Sequence, residues 1–141
     1  MENINALDEI HKGACMGIDA IDYVLEKVGD KTLKKELKKE KKDYEIIKEE
    51  IEQIYPKYDN GNPHETNIMT KAMTKMSVDM KTLTDKSNSK IAELLLQGVN
   101  MGIIEGRRIL NEKSINNEVE TILTRYVTMQ EASVEILKKY L

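Results

Sequence analysis

The spacing of aliphatic side chains is the feature that most constrains this chain of 141 residues. In its first segment the stripe recurs every three or four residues, through Ile4, Leu7, His11, Ala14, Ile18, Ile21, Leu25 and Val28. A helix turns once in about 3.6 residues, so steps of three and four place these side chains on one helix face. Because the sequence has neither Phe nor Trp, we expect a core of aliphatic side chains, methionine and tyrosine.

Turn and capping residues divide the same pattern into five predicted helices within one domain. The expected ranges are residues 4–28, 31–55, 63–84, 89–112 and 115–140. Gly29 followed by Asp30 is typical of a helix end and the N-cap of the next helix, so the first two helices should be antiparallel neighbours. Pro56 disfavours helical geometry at the residue before it and should end the second helix. Ser114 is the expected N-cap of the last helix.

The third segment is short and rich in methionine. Asn62, Pro63 and Glu65 fit the N-cap, first and third positions of its helix. Its stripe consists of Met69, Met73, Met76 and Met80. Methionine fills irregular gaps in cores and also forms adaptable binding surfaces, so this helix either covers the bundle or is an interaction surface. The polar residues 84–89 should interrupt helical structure.

These elements predict an all-α fold in which helices one, two, four and five form an antiparallel four-helix bundle. Two tight hairpins are joined by one long crossover connection, and the methionine-rich helix lies within that connection. Four-helix bundles with a single long crossover are a known class, to which the ferritin-like folds belong.

Composition excludes several functional classes. The single cysteine rules out an internal disulfide framework and favours a reducing compartment. No apolar run is long enough to span a membrane, and the acidic N-terminus lacks the features of a signal peptide, so we expect a cytoplasmic protein. A net charge of −3 does not favour nucleic-acid binding. The abundance of lysine, isoleucine and asparagine is typical of bacteria with AT-rich genomes.

Four polar residues at core positions carry most of the functional information. They are His11, Glu40, Gln130 and Ser133. A buried polar group without a partner costs about 1–3 kcal/mol, so each of these residues calls for an explanation. For His11 we expect a half-buried ring whose nitrogens find partners. For Glu40 we expect either burial or a carboxylate that reaches solvent.

Pairs of residues three apart on two helices resemble the ligand positions of the ferritin-like di-iron proteins. In that family two helices each supply Glu-x-x-His, and the other two each supply a Glu. Here helix two has Glu40-x-x-Asp43 and helix five has Gln130-x-x-Ser133, so neither pair contains a histidine. Together with the crossover, these pairs make the chain similar to small, uncharacterised bacterial ferritin-like bundles.

The resemblance implies a bundle whose metal site is degenerate. Without imidazole ligands we expect no intact di-iron centre, no ferroxidase activity and no cofactor. The alternative is an atypical site for iron or manganese, which would require five side chains to meet inside the bundle: Asp19, Glu40, Asp43, Gln97 and Gln130.

Glycines at intervals of four occur inside two predicted helices. Gly13 and Gly17 lie in the first helix, and Gly98, Gly102 and Gly106 lie in the fourth. An interior glycine costs about 1 kcal/mol relative to alanine, so five of them require a structural reason. We expect close packing between helices one and four. The alternative is room for a ligand or for a partner's helix.

Helix two is electrically asymmetric, with seven lysines between positions 31 and 42 and five acids between positions 43 and 52. This order opposes the helix macrodipole, so we expect compensating charges nearby. Acids on helix one would compensate within the chain. Two copies of helix two packed antiparallel would instead match opposite charges in a homodimer.

Motifs that would indicate catalysis are missing. The sequence has no phosphate-binding glycine loop, no Cys-x-x-Cys pair and no His-Glu-x-x-His, which are the recognisable forms of nucleotide, redox and zinc sites. The sequence therefore favours a non-enzymatic bundle that acts through protein interaction. The alternatives are a carboxylate bundle that binds iron or manganese, and a binder of a peptide or apolar ligand at the methionine-rich helix.

Overall fold

The computed structural model describes the chain except residues 1, 60–62, 64–70 and 113, and it leaves out the side chains of residues 2 and 71–73. Its α-helices are α1 (Glu2–Leu25), α2 (Lys31–Ile54), α3 (Lys71–Lys81), α4 (Asn88–Glu112) and α5 (Asn117–Lys138). A short 3₁₀ turn, Tyr55–Lys57, follows α2. Every regular element in this part of the chain is helical, which confirms the all-α class.

The starts of α2 and α5 are both capped by side chains. The Asp30 carboxylate accepts a hydrogen bond from the backbone N–H of Leu33 at 2.8 Å, which confirms its predicted role. At α5 the cap is Asn116, whose side chain accepts from the N–H of Val119 at 3.0 Å. The prediction of Ser114 as this cap is wrong. Asn116 is held in place by tertiary hydrogen bonds that the local sequence does not reveal.

The turn between α1 and α2 begins earlier than predicted. α1 ends at Leu25, three residues before the expected end at position 28. The N–H groups of Lys27 and Val28 both donate to the carbonyl of Val24, at 2.8 and 3.1 Å. Because Val28 is buried, the chain closes on its apolar core before it reaches Gly29.

α2 ends close to the predicted position, but Tyr55, the residue before Pro56, keeps right-handed helical backbone angles. The helix stops at Ile54, and Pro56 lies in the 3₁₀ turn that follows. Asn62 and Glu65, two of the expected capping residues of the third helix, lie outside the described residues. Pro63, between them, is buried.

The predicted interruption before the fourth helix is also confirmed. α3 ends at Lys81, residues 83–87 are not helical, and α4 begins at Asn88. The Ser87 hydroxyl accepts a hydrogen bond from the N–H of Lys90 at 3.2 Å, which caps the new helix. A polar segment therefore interrupts the helix where its side chains can bond to the backbone.

The four long helices pack in the cyclic order α1–α2–α5–α4. At one end Asn3 accepts a hydrogen bond from the backbone of Asn116 at 3.0 Å. At the other end Lys27 donates to the carbonyl of Met80 at 3.2 Å. Adjacent helices therefore run antiparallel, and α3 lies against α1 and α4. Membership of the ferritin-like superfamily stays a prediction.

The core contains only part of the predicted stripes. In α1, Ile10 and Val24 are fully buried although they lie outside the predicted stripe, whereas Ile4, Ile18 and Leu25 are half-buried. The fully buried side chains of the core include Leu7, Ile10, Ile21, Val24, Leu33, Leu37, Ile51, Ile91, Leu94, Leu123 and Leu137. Burying one such side chain contributes about 1.5–3 kcal/mol. None of the helices in the described part of the chain is long and apolar enough to cross a membrane.

One lysine of α2 finds its compensating charge within the chain. Lys41 pairs with Asp22 of α1 at 2.7 Å. Later in the same helix, Lys48 pairs with Glu52 at 3.1 Å. Such half-exposed pairs contribute little to stability, and of the two only Lys41–Asp22 brings an acid of α1 to the lysine-rich half of α2. The homodimer through α2 stays a prediction, and a light-scattering mass of one chain at micromolar concentration and low salt would contradict it.

Candidate ligand-binding site

Five polar or partly polar side chains meet inside the bundle, where α2 and α5 face each other. We call them the polar cluster: Glu40, Tyr44, Tyr126, Gln130 and Ser133. Gln130 and Ser133 are 2% and 5% exposed, and both tyrosines are buried. The Gln130 amide donates to the Tyr44 hydroxyl at 3.2 Å, and the two tyrosine rings lie 6.3 Å apart between centroids. Two of the four predicted core polar residues, Gln130 and Ser133, are thus fully buried.

One buried oxygen of the polar cluster, Gln130 Oε1, has no hydrogen-bond partner among the described residues. The Ser133 hydroxyl is also buried, but it lies close enough to Glu40 to lower the pKa of that carboxyl. An unsatisfied buried acceptor costs about 1–3 kcal/mol, so native proteins rarely retain one without a structural or functional reason. The Gln130 oxygen is therefore the most informative atom in the bundle.

Burial controls the protonation of the polar cluster. It raises the pKa of Glu40 above its ordinary value of 4.5, an effect that the hydroxyls of Ser133 and Tyr44 partly oppose and the charge of Asp43 reinforces. Burial likewise raises the pKa values of Tyr44 and Tyr126 above 10.0. Both phenols therefore remain protonated at neutral pH.

A cavity of about 480 Å³ lies beside the polar cluster, bounded by α1, α3 and α4. Most of its wall is aliphatic or thioether, and it includes four methionines: Met16, Met76, Met80 and Met101. Glu40, Tyr44, Tyr126 and Gln130 form its side toward α2 and α5. Sites for small molecules commonly have this form, a mostly apolar concavity with a few convergent polar groups.

The glycines of α1 create the space in which the tyrosines lie. A methyl group at Gly17 would stand 2.6 Å from two atoms of the Tyr44 ring, and one at Gly13 would overlap the Tyr126 hydroxyl. These distances are below any van der Waals contact, so no larger residue fits without displacing a ring. α1 therefore uses glycine to admit side chains from α2 and α5.

The glycines of α4 follow the same principle. A methyl group at Gly102 would overlap the Gln130 amide, and one at Gly106 would overlap Val127. At Gly98 it would lie 3.1 Å from the end of the flexible Met76 side chain. The expected role in direct packing between helices one and four is corrected, because these glycines face side chains of α3 and α5. The alternative, room for a ligand, agrees with the cavity that Gly13, Gly17, Gly98 and Gly102 line.

The structure does not bring the five candidate metal ligands together. Asp19 and Gln97 are exposed, because they lie on the outward faces of α1 and α4. Glu40 and Gln130 belong to the polar cluster, and Asp43 lies half-buried in a groove on the other side of α2. Within the described residues, no group of three or more His, Cys, Asp or Glu side chains is arranged to hold a metal ion.

That groove, of about 490 Å³, separates α2 from α5. It is lined by Asp43, Ser133 and Arg125, and by Glu40, which also lines the cavity. The Arg125 guanidinium is engaged by both carboxylate oxygens of Glu50. Glu40 is therefore the one ionisable side chain that the two spaces share among their described lining residues.

His11 lies apart from the polar cluster, between α1 and α2. Its Nε2 is 2.9 Å from Glu52, and its Nδ1 is 3.8 Å from the Cys15 sulfur. The hydrogen bond from His11 lowers the pKa of Glu52 below 4.5. The ring is half-buried with partners for both nitrogens, as expected for a structural histidine.

The methionine-rich helix faces inward where its side chains are described. Met76 and Met80 are 8% and 2% exposed and line the cavity. Their assignment to an exposed interaction surface is corrected, because their spacing of four turns both toward α1 and α4. Met69 and the side chain of Met73 lie outside the described residues.

Tyr44 and Tyr126 are site residues that helical periodicity alone does not reveal. The periodicity places both among the ordinary members of apolar stripes. A signal was available, because a core tyrosine must place its hydroxyl near a partner. Glycine at intervals of four on two other helices indicated where such large side chains would fit.

Comparison with known proteins yields one structural match. The matching protein is CopM, in the Cu(II)-bound form. Its structure superposes on this chain with a TM-score of 0.81 and a sequence identity of 13%, covering 98% of this chain and 94% of CopM. At this identity the similarity establishes the helical fold alone. No family model matches the sequence, and no curated protein matches it.

Proposed function

We propose that the cavity beside the polar cluster binds a small, largely apolar molecule, and that the protein acts as a binding bundle rather than as a catalyst. The carrying observation is that Gln130 Oε1, buried and without a partner, belongs to a residue of the cavity wall. Because the oxygen itself is buried, a ligand with a hydrogen-bond donor would satisfy it when the Gln130 amide turns toward the cavity. The apolar part of the ligand would then cover the aliphatic wall. The sequence suggested an apolar ligand at the methionine-rich helix. The proposal keeps this kind of ligand but places it in the cavity that Met76 and Met80 line.

The glycine pattern supports the same proposal. Alanine would be the stronger helix former at each of these positions, by about 1 kcal/mol. Among the described residues, the flexible end of Met76 is the only neighbour that a methyl group at Gly98 would meet within 4 Å, so no close contact in this part of the chain requires glycine there. Room in the cavity is the remaining structural benefit at that position.

A cavity-filling variant tests the proposal directly. Gly98→Leu adds an apolar side chain at the cavity wall, whereas Asn100→Leu adds the same side chain at an exposed position of the same helix. With Nile red as the probe, we expect saturable fluorescence enhancement by the wild type and by Asn100→Leu. We expect an affinity roughly tenfold lower for Gly98→Leu, as for the loss of about 1.4 kcal/mol of contact.

Two results would contradict the proposal. One is the absence of saturable Nile red binding by the wild type. The other is equal binding by Gly98→Leu and Asn100→Leu when thermal melting and circular dichroism report that both are folded. The second result would place the probe on the protein surface.

The four methionines of the cavity wall favour a second candidate, binding of Cu(I). Thioether sulfur is a soft ligand that suits Cu(I), whereas iron and manganese prefer harder oxygen and nitrogen ligands. Met16, Met76, Met80 and Met101 all line the same space. The structural similarity to CopM, which was solved with Cu(II), makes copper the natural metal to examine.

Anaerobic titration of Cu(I) against a chromogenic chelator tests this second candidate. Met16→Leu combined with Met101→Leu removes two thioethers at nearly constant volume, and Met129→Leu, in the groove between α2 and α5, is the matched control. Copper binding should be lost in the double variant and kept in the control. Binding that survives the double variant would contradict a site in the cavity.

A further inference from the structure

The hydrogen-bonding groups of the cavity are unbalanced toward acceptors. Gln130 directs its amide N–H to Tyr44, which leaves its Oε1 without a donor. Glu40 contributes a carboxylate to the same wall. Tyr44 and Tyr126 also place hydroxyl donors on this wall, but Gln130 Oε1 accepts from neither of them. Among the described residues this oxygen therefore still lacks a donor.

The charged side chains around the cavity are mostly acidic. Its lining includes Glu9, Glu40 and Glu105 and a single base, Lys12. Glu105 pairs with Arg108 at 3.1 Å on the outer surface. Of these three acids, Glu9 and Glu105 are exposed and Glu40 is half-buried. An anionic ligand would be repelled, and a cation would be attracted.

We propose that the ligand of the cavity is an amphiphile with a protonated amine at its polar end, which donates to Gln130 Oε1 and pairs with the Glu40 carboxylate. This inference rests on the proposed binding of an apolar molecule and assigns the chemical class of its head group. The hydrocarbon part lies along the glycine and methionine wall. The ammonium group supplies up to three donors, together with the positive charge that the hydroxyl donors of Ser133 and Tyr44 do not bring to Glu40.

An amine suits this site better than the other common head groups. An alcohol can donate to Gln130 but does not compensate a buried carboxylate. A carboxylic acid would place a second negative charge beside Glu40. The raised pKa of Glu40 agrees with this assignment, because burial penalises a charge for which the wall holds no counterion of its own.

A matched series of ligands tests the head group. Octylamine, octanol and octanoate share one hydrocarbon chain and differ only in their polar end. In isothermal titration calorimetry at neutral pH with the full chain, we expect octylamine to bind roughly tenfold or more tightly than octanol, the ratio expected for a charge-assisted hydrogen bond. Octanoate should bind most weakly.

Variants of Glu40 and Gln130 separate the contributions of the two residues to ligand affinity. Glu40→Gln should lower the affinity for octylamine by about tenfold and leave that for octanol nearly unchanged. Gln130→Leu should weaken both ligands, since both donate to its oxygen. Glu49→Gln, an exposed position of the same helix, is the control and should change neither affinity.

The outcomes separate this inference from the function on which it rests. Equal binding of octylamine and octanol to the wild type would overturn the amine head group and leave apolar-ligand binding intact. An amine preference that persists in Glu40→Gln would overturn the role of that carboxylate. If none of the three ligands bound and Nile red did not bind either, the proposed function itself would be contradicted.

Discussion

The seam between α1 and α4 and the seam between α2 and α5 differ in how they are filled. The first contains glycines, methionines and a cavity. The second is a groove in which a buried serine lies beside carboxylates and an ion pair between Arg125 and Glu50. Tyr44 and Gln130 reach from α2 and α5 toward the glycine-lined seam.

This difference shows how a symmetric helical pattern can produce an asymmetric interior. All four helices carry apolar stripes of similar rhythm, yet two of them replace side chains with hydrogen at regular intervals. The neighbouring helices extend large side chains into that space. The part they do not fill remains as the cavity. The predictions below test this account of the two seams.

The largest effect is expected for Gly17→Ala. The added methyl would lie 2.6 Å from the Tyr44 ring, which is rigid and bonded to Gln130. We expect the free energy of unfolding to fall by about 1–3 kcal/mol, the usual cost of overpacking a core. Urea denaturation measures it.

Gly29→Ala is the matched control for that experiment, since nothing lies within 4 Å of the position of its added methyl group. It should be neutral or slightly stabilising. If Gly17→Ala proved as stable as Gly29→Ala, the glycines of α1 would not be required by the tyrosines.

A pH-dependent effect smaller than that of Gly17→Ala is expected for Glu40→Gln. Burial raises the pKa of Glu40 in the folded state above 4.5, so the folded state binds this proton more tightly than the unfolded state does. The resulting stability is fully present below pH 4.5 and is lost as the pH rises through the raised pKa. The glutamine variant, which remains neutral, should therefore be more stable than the wild type at neutral pH.

The wild type and Glu40→Gln should have nearly equal stability in acid, where both side chains at position 40 are uncharged. Thermal melting across the acidic and neutral range measures this. The exposed variant Glu49→Gln should follow the wild-type profile. A constant difference between Glu40→Gln and the wild type at every pH would mean that the carboxylate acts through packing rather than through its charge.

Gly98→Ala is expected to stabilise the protein, in contrast to Gly17→Ala. Among the described residues, the added methyl would meet only the end of Met76, at 3.1 Å, and that side chain can rotate away. Gly98→Ala should raise the free energy of unfolding by up to about 1 kcal/mol through helix propensity. Chemical denaturation measures it, and a loss of stability would show that the methionine cannot move.

The smallest effect is expected in the groove between α2 and α5. Arg125 and Glu50 form a two-pronged ion pair, but their side chains remain 48% and 33% exposed. Arg125→Ala should cost at most about 1 kcal/mol. The loss should shrink as salt is added, because exposed charges are screened. A larger, salt-independent loss would give this seam a structural importance that the cavity seam lacks.

Local features of the fold could be predicted from sequence because their causes are local. The cap at Asp30, the stop at Pro56 and the break before α4 each depend on residues within one turn of the backbone. Two local predictions failed. α1 ends at Leu25, before Gly29, and α5 is capped by Asn116, which a distant contact with Asn3 holds in place, and not by Ser114. Periodicity also placed Gln130 and Ser133 on the inner face of their helix.

The sequence by itself determined the helical class and the approximate positions of the long helices, since these follow from the geometry of a single helix. The predicted stripes gave the inward faces only in part, because Ile10, Val24 and Leu94 are buried outside them. Only the tertiary structure decided what lies opposite that face. The hydrogen bond between Gln130 and Tyr44 joins residues separated by 86 positions, and no local pattern predicts such a pair. The outward positions of Asp19 and Gln97, and the cavity beside Gly98, likewise depend on how the helices are rotated against their neighbours.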